Sequence, residues 1–138
     1  MDGEIEIIQT TEHCDFWLGT FPSERRACEY FEEIYNAEDE DREYTPLSEF
    51  AKDQEQHWYD HDFIEYGFNN SVSSIKELVE GYSYSEQYAE ELEKRCAEWK
   101  LVGINFFVFI TVREIAKPKS VITDEFKLHY VGKIEYQI

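Results

Sequence analysis

Apolar side chains recur at two different spacings along this chain. From Cys14 to Thr20 aromatic and apolar groups follow one another closely, the habit of a strand, and Pro22 and Ser23 break it. Ser23 is placed to cap a helix, because its hydroxyl accepts from an orphan N–H of the first turn. Arg26 stands where a capping box needs Glu, so the box is absent. Ala27, Tyr30, Phe31, Ile34 and Tyr35 then recur at three- and four-residue steps, which predicts a helix to about Asn36 with one apolar face and with Glu29, Glu32 and Glu33 off the stripe. Ser48 opens a short helix through Phe50 and Ala51 to about Asp53, and Phe63 alternates with Asp62 and Ile64 as a short strand would. Ser73 or Ser74 starts another short helix through Leu78 and Val79, which Gly81 ends. Ser85 is expected to cap a longer helix running to about Trp99, buried through Tyr88, Ala89, Leu92, Cys96 and Trp99. Its Glu86, Glu90, Glu93 and Lys94 face water, and Glu90–Lys94 and Glu91–Arg95 have the favourable i,i+4 order.

The clearest strand is Val102 to Val112, made of β-branched and aromatic residues with few charges on either face, which marks it as central. Phe126 to Tyr136 alternates as a half-exposed strand kinked at Gly132, and Lys117, Pro118 and Lys119 turn the chain between the two. Strands 102–112 and 126–136 are expected to pair as an antiparallel hairpin. The predicted class is α+β: an antiparallel sheet of the N-terminal strand plus the C-terminal hairpin, with helices packed mainly on one face. Nothing in residues 1–138 reads as a repeat, a low-complexity tract or a linker, so one domain is expected.

Charge sharpens this picture. Acidic residues number 31 against 13 basic ones, a formal charge of −18. Residues 101–138 carry five basic and four acidic groups, so residues 1–100 hold a net −19. The run from Glu38 to Glu43 has no apolar periodicity and reads as a solvated loop. A field of this sign opposes nucleic acid and anionic membrane surfaces and favours a cationic partner, if it does more than keep the protein soluble. The longest apolar run, about ten residues, is too short for a bilayer. Met1 to Gln9 begins with acids and lacks the basic and apolar regions of a signal peptide, so the expected compartment is the cytoplasm, with reduced thiols. Cys14, Cys28 and Cys96 are odd in number and scattered, which fits neither a disulfide framework nor a thiolate metal site; buried, inert thiols are expected.

Few constellations offer chemistry. His57, Asp60, His61 and Asp62 hold donors suited to zinc, yet their spacing is not a metal-binding pattern, so no metal is expected. No serine lies in a nucleophile elbow, no glycine-rich loop cradles phosphate, and paired carboxylates discriminate nothing in so acidic a chain. No catalytic residue and no cofactor are assigned. The middle of the chain is more informative. Tyr44, Phe50, Trp58, Tyr59, Phe63 and Tyr66 are interleaved with Glu43, Glu49, Asp53, Glu55, Asp60, Asp62 and Glu65. Rings supply contact area and carboxylates supply steering toward a cationic protein; equally, the rings form core and the acids its rim, and both readings hold together.

These segments resemble a known family. Phe16 to Phe21, Ser23, and Tyr30 with Phe31 are similar to the opening of the immunity protein 22 family. Ser48 to Asp53 and Trp58 to Glu65 are similar to its middle block, and Asn105 and Tyr130 to Gly132 to its end. The likeness runs from about residue 14 to 136. It implies a protein of bacterial polymorphic toxin systems that protects its producer by binding a cognate toxin. The family's recurring positions fall on Trp17, Gly19, Ser23, Phe50, Asp53, Asp60, Asp62 and Glu65; Trp17, Gly19 and Phe50 read as fold determinants. With Glu43, Glu49, Glu55, Trp58 and Tyr59, the acids of the middle block make the candidate toxin-binding set. The expected partner is a basic toxin, a nuclease among the candidates, neutralised by stoichiometric occlusion. A small cytosolic enzyme, or an acidic adaptor or DNA mimic with another basic target, is the alternative.

Overall fold

The computed structural model describes residues 11–34 and 46–137. Along the chain these form β1 (Thr11–Thr20), α1 (Glu24–Phe31), α2 (Glu49–Asp53), β2 (Ile64–Phe68), α3 (Ile75–Val79), α4 (Ser85–Glu98), β3 (Phe106–Thr111), β4 (Val121–Ile122) and β5 (Lys127–Gln137). The five strands make one antiparallel sheet in the order β2-β3-β1-β5-β4. Both middle strands are apolar on two sides: Trp17, Phe106, Val108 and Ile110 face one way, Phe16, Leu18, Phe107 and Phe109 the other, and all are buried. Such strands need cover on both faces. α1 and α2 supply it on the first side through Ala27, Tyr30, Phe31, Phe50 and Ala51. α3 and α4 supply it on the second through Ile75, Leu78, Val79, Tyr88 and Leu92. The α+β class and antiparallel sheet are as expected, and the helices divide between the two faces, with the longest of them, α4, on the second.

The expected pairing of strands 102–112 and 126–136 does not form. β1 lies between β3 and β5, and the C-terminal hairpin is β4 with β5, where Val121 opposes Leu128 and Ile122 opposes Lys127. The cause is burial: β1 and β3 hide both faces and take the middle, while β5 leaves Lys127, Lys133 and Glu135 in solvent. The kink foreseen at Gly132 is a β-bulge. Phe16 opposes Gly132 and Trp17 opposes Tyr130, which leaves Val131 unmatched, and Gly132 takes a φ of +98°. Side chains alternate with period two, so the extra residue reverses their phase. Leu128 and Tyr130 therefore point to the α1–α2 side, and Ile134 and Tyr136 to the α3–α4 side. Arg95 on α4 holds the bulge: its Nη1 donates to the Val131 carbonyl (2.9 Å), while its Nε donates to Glu91 (3.0 Å).

Serine hydroxyls cap three helices as the sequence predicts. Ser23, Ser48 and Ser74 accept from the backbone N–H three residues on, at 3.1, 3.1 and 3.2 Å. Other expectations change. α1 ends at Phe31, because Glu32 is extended, and Ile34 is 42% exposed rather than part of the buried stripe. Tyr35, Asn36 and the acidic run Glu38–Glu43 lie outside the described residues. α4 starts from Tyr84, which has a left-handed φ of +63° and no side-chain cap bond, so Ser85 is its first residue and not its cap. Trp99 lies past the end of α4 and is 51% exposed. Cys14 is buried and Cys96 half-buried, but Cys28 sits on the outer side of α1 in solvent; all three thiols are free. No helix among the described residues is long and apolar enough to cross a membrane.

One buried carboxylate yields a pH prediction. Asp15 is 1% exposed, and its Oδ1 accepts from the Tyr130 hydroxyl at 2.6 Å. Burial pushes its pKa above the ordinary 3.8, against the lowering effects of Tyr130 and Lys133. The folded state therefore holds this proton more tightly than the unfolded chain does, and the group's contribution to stability falls as pH rises from 3.8 through the raised value. Asp15→Asn keeps an acceptor for Tyr130 and removes the charge. Urea denaturation should show the variant more stable than the parent at about pH 7, with the gain fading toward about pH 4.

Candidate functional site

Residues 54–65 leave α2, cross the α1–α2 side and enter the outermost long strand, and their side chains sort sharply between inside and outside. Gln54 is 1% exposed and exchanges two hydrogen bonds with the backbone of Lys119, at 2.9 and 2.8 Å. Trp58 and Tyr59 are adjacent but opposite in fate. Tyr59 is 1% exposed, shares a hydrogen bond with Ser48 Oγ (3.1 Å) and packs edge-on to Phe50, whereas Trp58 is 58% exposed. The Asp60 carboxylate accepts from the Asp62 N–H (3.1 Å) and so caps a 3-10 turn, His61–Phe63. The Asp60 N–H itself donates to Glu114 (2.7 Å). His61 Nε2–H donates to the Phe31 carbonyl at 3.1 Å, which anchors the turn to α1. Asp62 and Phe63 are left in solvent, Phe63 53% exposed.

Three other carboxylates of the predicted binding set, Glu49, Asp53 and Glu55, are occupied within the chain. Arg26 grips Glu49 with two hydrogen bonds, 3.2 and 2.8 Å, and donates through Nε to Glu125 at 2.8 Å. Asp53 accepts from the Tyr30 hydroxyl at 2.7 Å. Glu55 pairs with Lys119, which holds its pKa below the usual carboxylate range. Glu43 lies outside the described residues. Tyr59 belongs to the core, so it offers no contact area in this conformation. The family-like structural positions have physical roles. Trp17 is fully buried and donates from Nε1 to the Lys119 carbonyl (2.9 Å), and Phe50 packs edge-on to it. A Cβ on Gly19 would lie 2.4 Å from the Lys127 carbonyl oxygen, so only glycine lets β1 approach β5 there. Ser23 is the cap already described.

Asp62 and Glu65 meet at one place. A cleft of about 260 Å³ is lined by Glu12, Asp62 and Glu65 around an apolar floor that includes Phe63, Ile64 and Phe109. Ion pairs among the described residues engage Glu29, Glu49, Glu55, Glu91, Glu93 and Glu125 with Arg or Lys; none engages Glu12, Asp62 or Glu65. Partial burial pushes the Glu65 pKa up, as an unpartnered carboxylate on an apolar floor requires. Cys14 also lines the cleft, but burial raises its thiol to about 11, so it is protonated and unreactive at neutral pH. An apolar floor ringed by carboxylates suits a Lys or Arg side chain, whose stem packs on the rings while its head meets the acids. Among the described residues no three His, Cys, Asp or Glu side chains are grouped to hold a metal ion. Glu12 escaped sequence reasoning because it reaches the cleft only through the pairing of β1 with β3; Thr111 on β3 donates to it at 3.1 Å. A second groove, about 440 Å³ between α3 and α4, is flanked by Glu77, Glu80, Glu86 and Glu90 with Lys76.

Comparison with known families matches residues 14–137 of the chain to the family described as Immunity protein 22. No curated protein and no solved structure matches it.

Proposed function

Because the chain belongs to the immunity protein 22 family, we propose that it neutralises a cognate bacterial toxin by stoichiometric binding rather than by catalysis. The observation that supports a binding surface is the segment from Trp58 to Glu65. It combines exposed rings at Trp58 and Phe63 with carboxylates at Asp62 and Glu65 that no described Lys or Arg neutralises. Rings desolvate a partner's surface, and free carboxylates steer and pair with its cations. With a net charge of −18, the protein favours a basic toxin. A nuclease fits this logic, because a surface that binds phosphate also binds carboxylates set in its place. The setting that follows is a polymorphic toxin system, with the inhibitor in the cytoplasm of the producing cell.

The test is to mix the purified chain with the toxin domain encoded beside its gene and to measure complex mass and toxin activity together. A 1:1 complex that loses its activity is expected. Two folded proteins that stay separate at low salt refute the proposal. Within a complex, Trp58→Ala should weaken affinity by about tenfold or more, as loss of a central ring does. Tm should stay within about 2 °C, because the ring is mostly in solvent; calorimetry and thermal melts check both.

A further inference from the structure

β2 is the outer strand at its end of the sheet, and the direction of its backbone groups can be worked out from the register. Asn69 N–H donates to the Asn105 carbonyl (2.9 Å), and β2 pairs Glu65 with Phe109 and Gly67 with Phe107. Val112 N–H donates across the other side of β3 to the His13 carbonyl (2.8 Å). Even-numbered residues of β3 therefore bond toward β1 and odd-numbered ones toward β2. On β2, Glu65 and Gly67 turn their backbone groups to β3, while Ile64, Tyr66 and Phe68 turn theirs outward. The Ile64 N–H is taken by the His61 carbonyl. The N–H and C=O of Tyr66 and Phe68 face an edge that no described strand covers. At the opposite end of the sheet, β4 covers only Leu128 and Lys127 of β5. Further along that edge Arg95 takes the Val131 carbonyl and Gln87 both backbone groups of Gln137, and Lys127 and Lys133 stand where a cationic strand would run.

An open edge invites strand addition, and its surroundings say by what. The cleft of Glu12, Asp62 and Glu65 opens at the start of β2, beside the exposed Phe63 ring. A second copy of the chain would bring the same carboxylates, and a charge of −18, against themselves. An extended cationic segment meets neither obstacle. Resting on the toxin-binding reading above, we propose that the toxin adds an extended strand to the β2 edge and lodges a Lys or Arg side chain among Glu12, Asp62 and Glu65. Main-chain pairing then supplies affinity, and the cleft sets register and selects the cation.

Amide hydrogen exchange on the complex with the neighbouring toxin domain tests this. Exchange at Tyr66 and Phe68 should slow by about tenfold or more on binding, while Glu65 and Gly67, already in the ladder to β3, serve as reference. A complex that forms and inhibits but leaves Tyr66 and Phe68 unchanged overturns the edge proposal and spares the immunity reading. Protection that grows with concentration in the free protein assigns the edge to self-association and also overturns it. Failure to form any complex overturns both.

Discussion

Trp17→Ala should be the most damaging single truncation in this protein, costing about 3–5 kcal/mol of stability and lowering Tm by about 10 °C or more. Trp17 is fully buried on β1, with ring centroids 5.3 Å from Phe50 and 5.1 Å from Tyr130. Its Nε1–H is also one of two donors serving the Lys119 carbonyl, with Gln54 as the other. Truncation therefore opens a void where the sheet, α2 and the 112–120 segment meet, and it removes one of that carbonyl's hydrogen bonds. A domain of this size is stabilised by only about 5–15 kcal/mol, so the loss is a large fraction of the whole. Trp99→Ala provides the contrast: that ring is 51% exposed beyond α4, and its removal should stay within about 0.5 kcal/mol. Urea titrations of the two variants measure the difference directly. Equal midpoints would contradict the assignment of Trp17 to the centre of the core.

Asp62→Lys combined with Glu65→Gln should cut the rate of toxin association at least about tenfold at low salt, with the deficit narrowing as salt screens the field. The pair is chosen from the geometry. Asp60 caps the 3-10 turn, Glu49 and Glu55 are held by Arg26 and Lys119, and Asp53 is held by Tyr30, so changing any of these would disturb the frame as well as the surface. Asp62 and Glu65 have no such duty among the described residues. Glu86→Lys with Glu90→Gln changes net charge equally on the α3–α4 groove. That control should slow association only slightly and leave dissociation untouched. Stopped-flow kinetics across a salt series distinguishes the two double variants. Equal losses would mean that net charge alone, and not the cleft, governs docking.

The local parts of this fold were readable in the sequence because they are local effects. A serine before an apolar run caps a helix whatever the rest of the chain does, and Ser23, Ser48 and Ser74 all do so. The core strand at Phe106–Thr111 declared itself by having no polar face. Pairing was not readable in the same way, because periodicity says which face is buried and not which strand lies alongside. The insertion of β1 between β3 and β5 follows from how much each strand must hide, a quantity that appears only when all are weighed together. The candidate site was legible in outline, since Asp62, Phe63 and Glu65 stand in the acidic, aromatic block. Neighbouring rings of similar character, Trp58 and Tyr59, were indistinguishable until the chain's path put one hydroxyl beside Ser48. Glu12 carried no signal at all, for it is brought in by a distant strand.

The unmatched Val131 has a bearing on which changes the molecule tolerates. The surplus residue is absorbed locally and leaves the ladder in step: Tyr130 still meets Trp17, Gly132 meets Phe16 and Ile134 meets Cys14. Deleting it would make Tyr130 opposite Trp17 and Gly132 opposite Phe16 consecutive pairs of an unbroken ladder, with Leu128, Ile134 and Tyr136 facing as they do now, and would remove the Val131 carbonyl that Arg95 Nη1 holds. Loss of one residue at this point therefore keeps both cores in register, and its cost falls on the bend of β5 and its tie to Arg95.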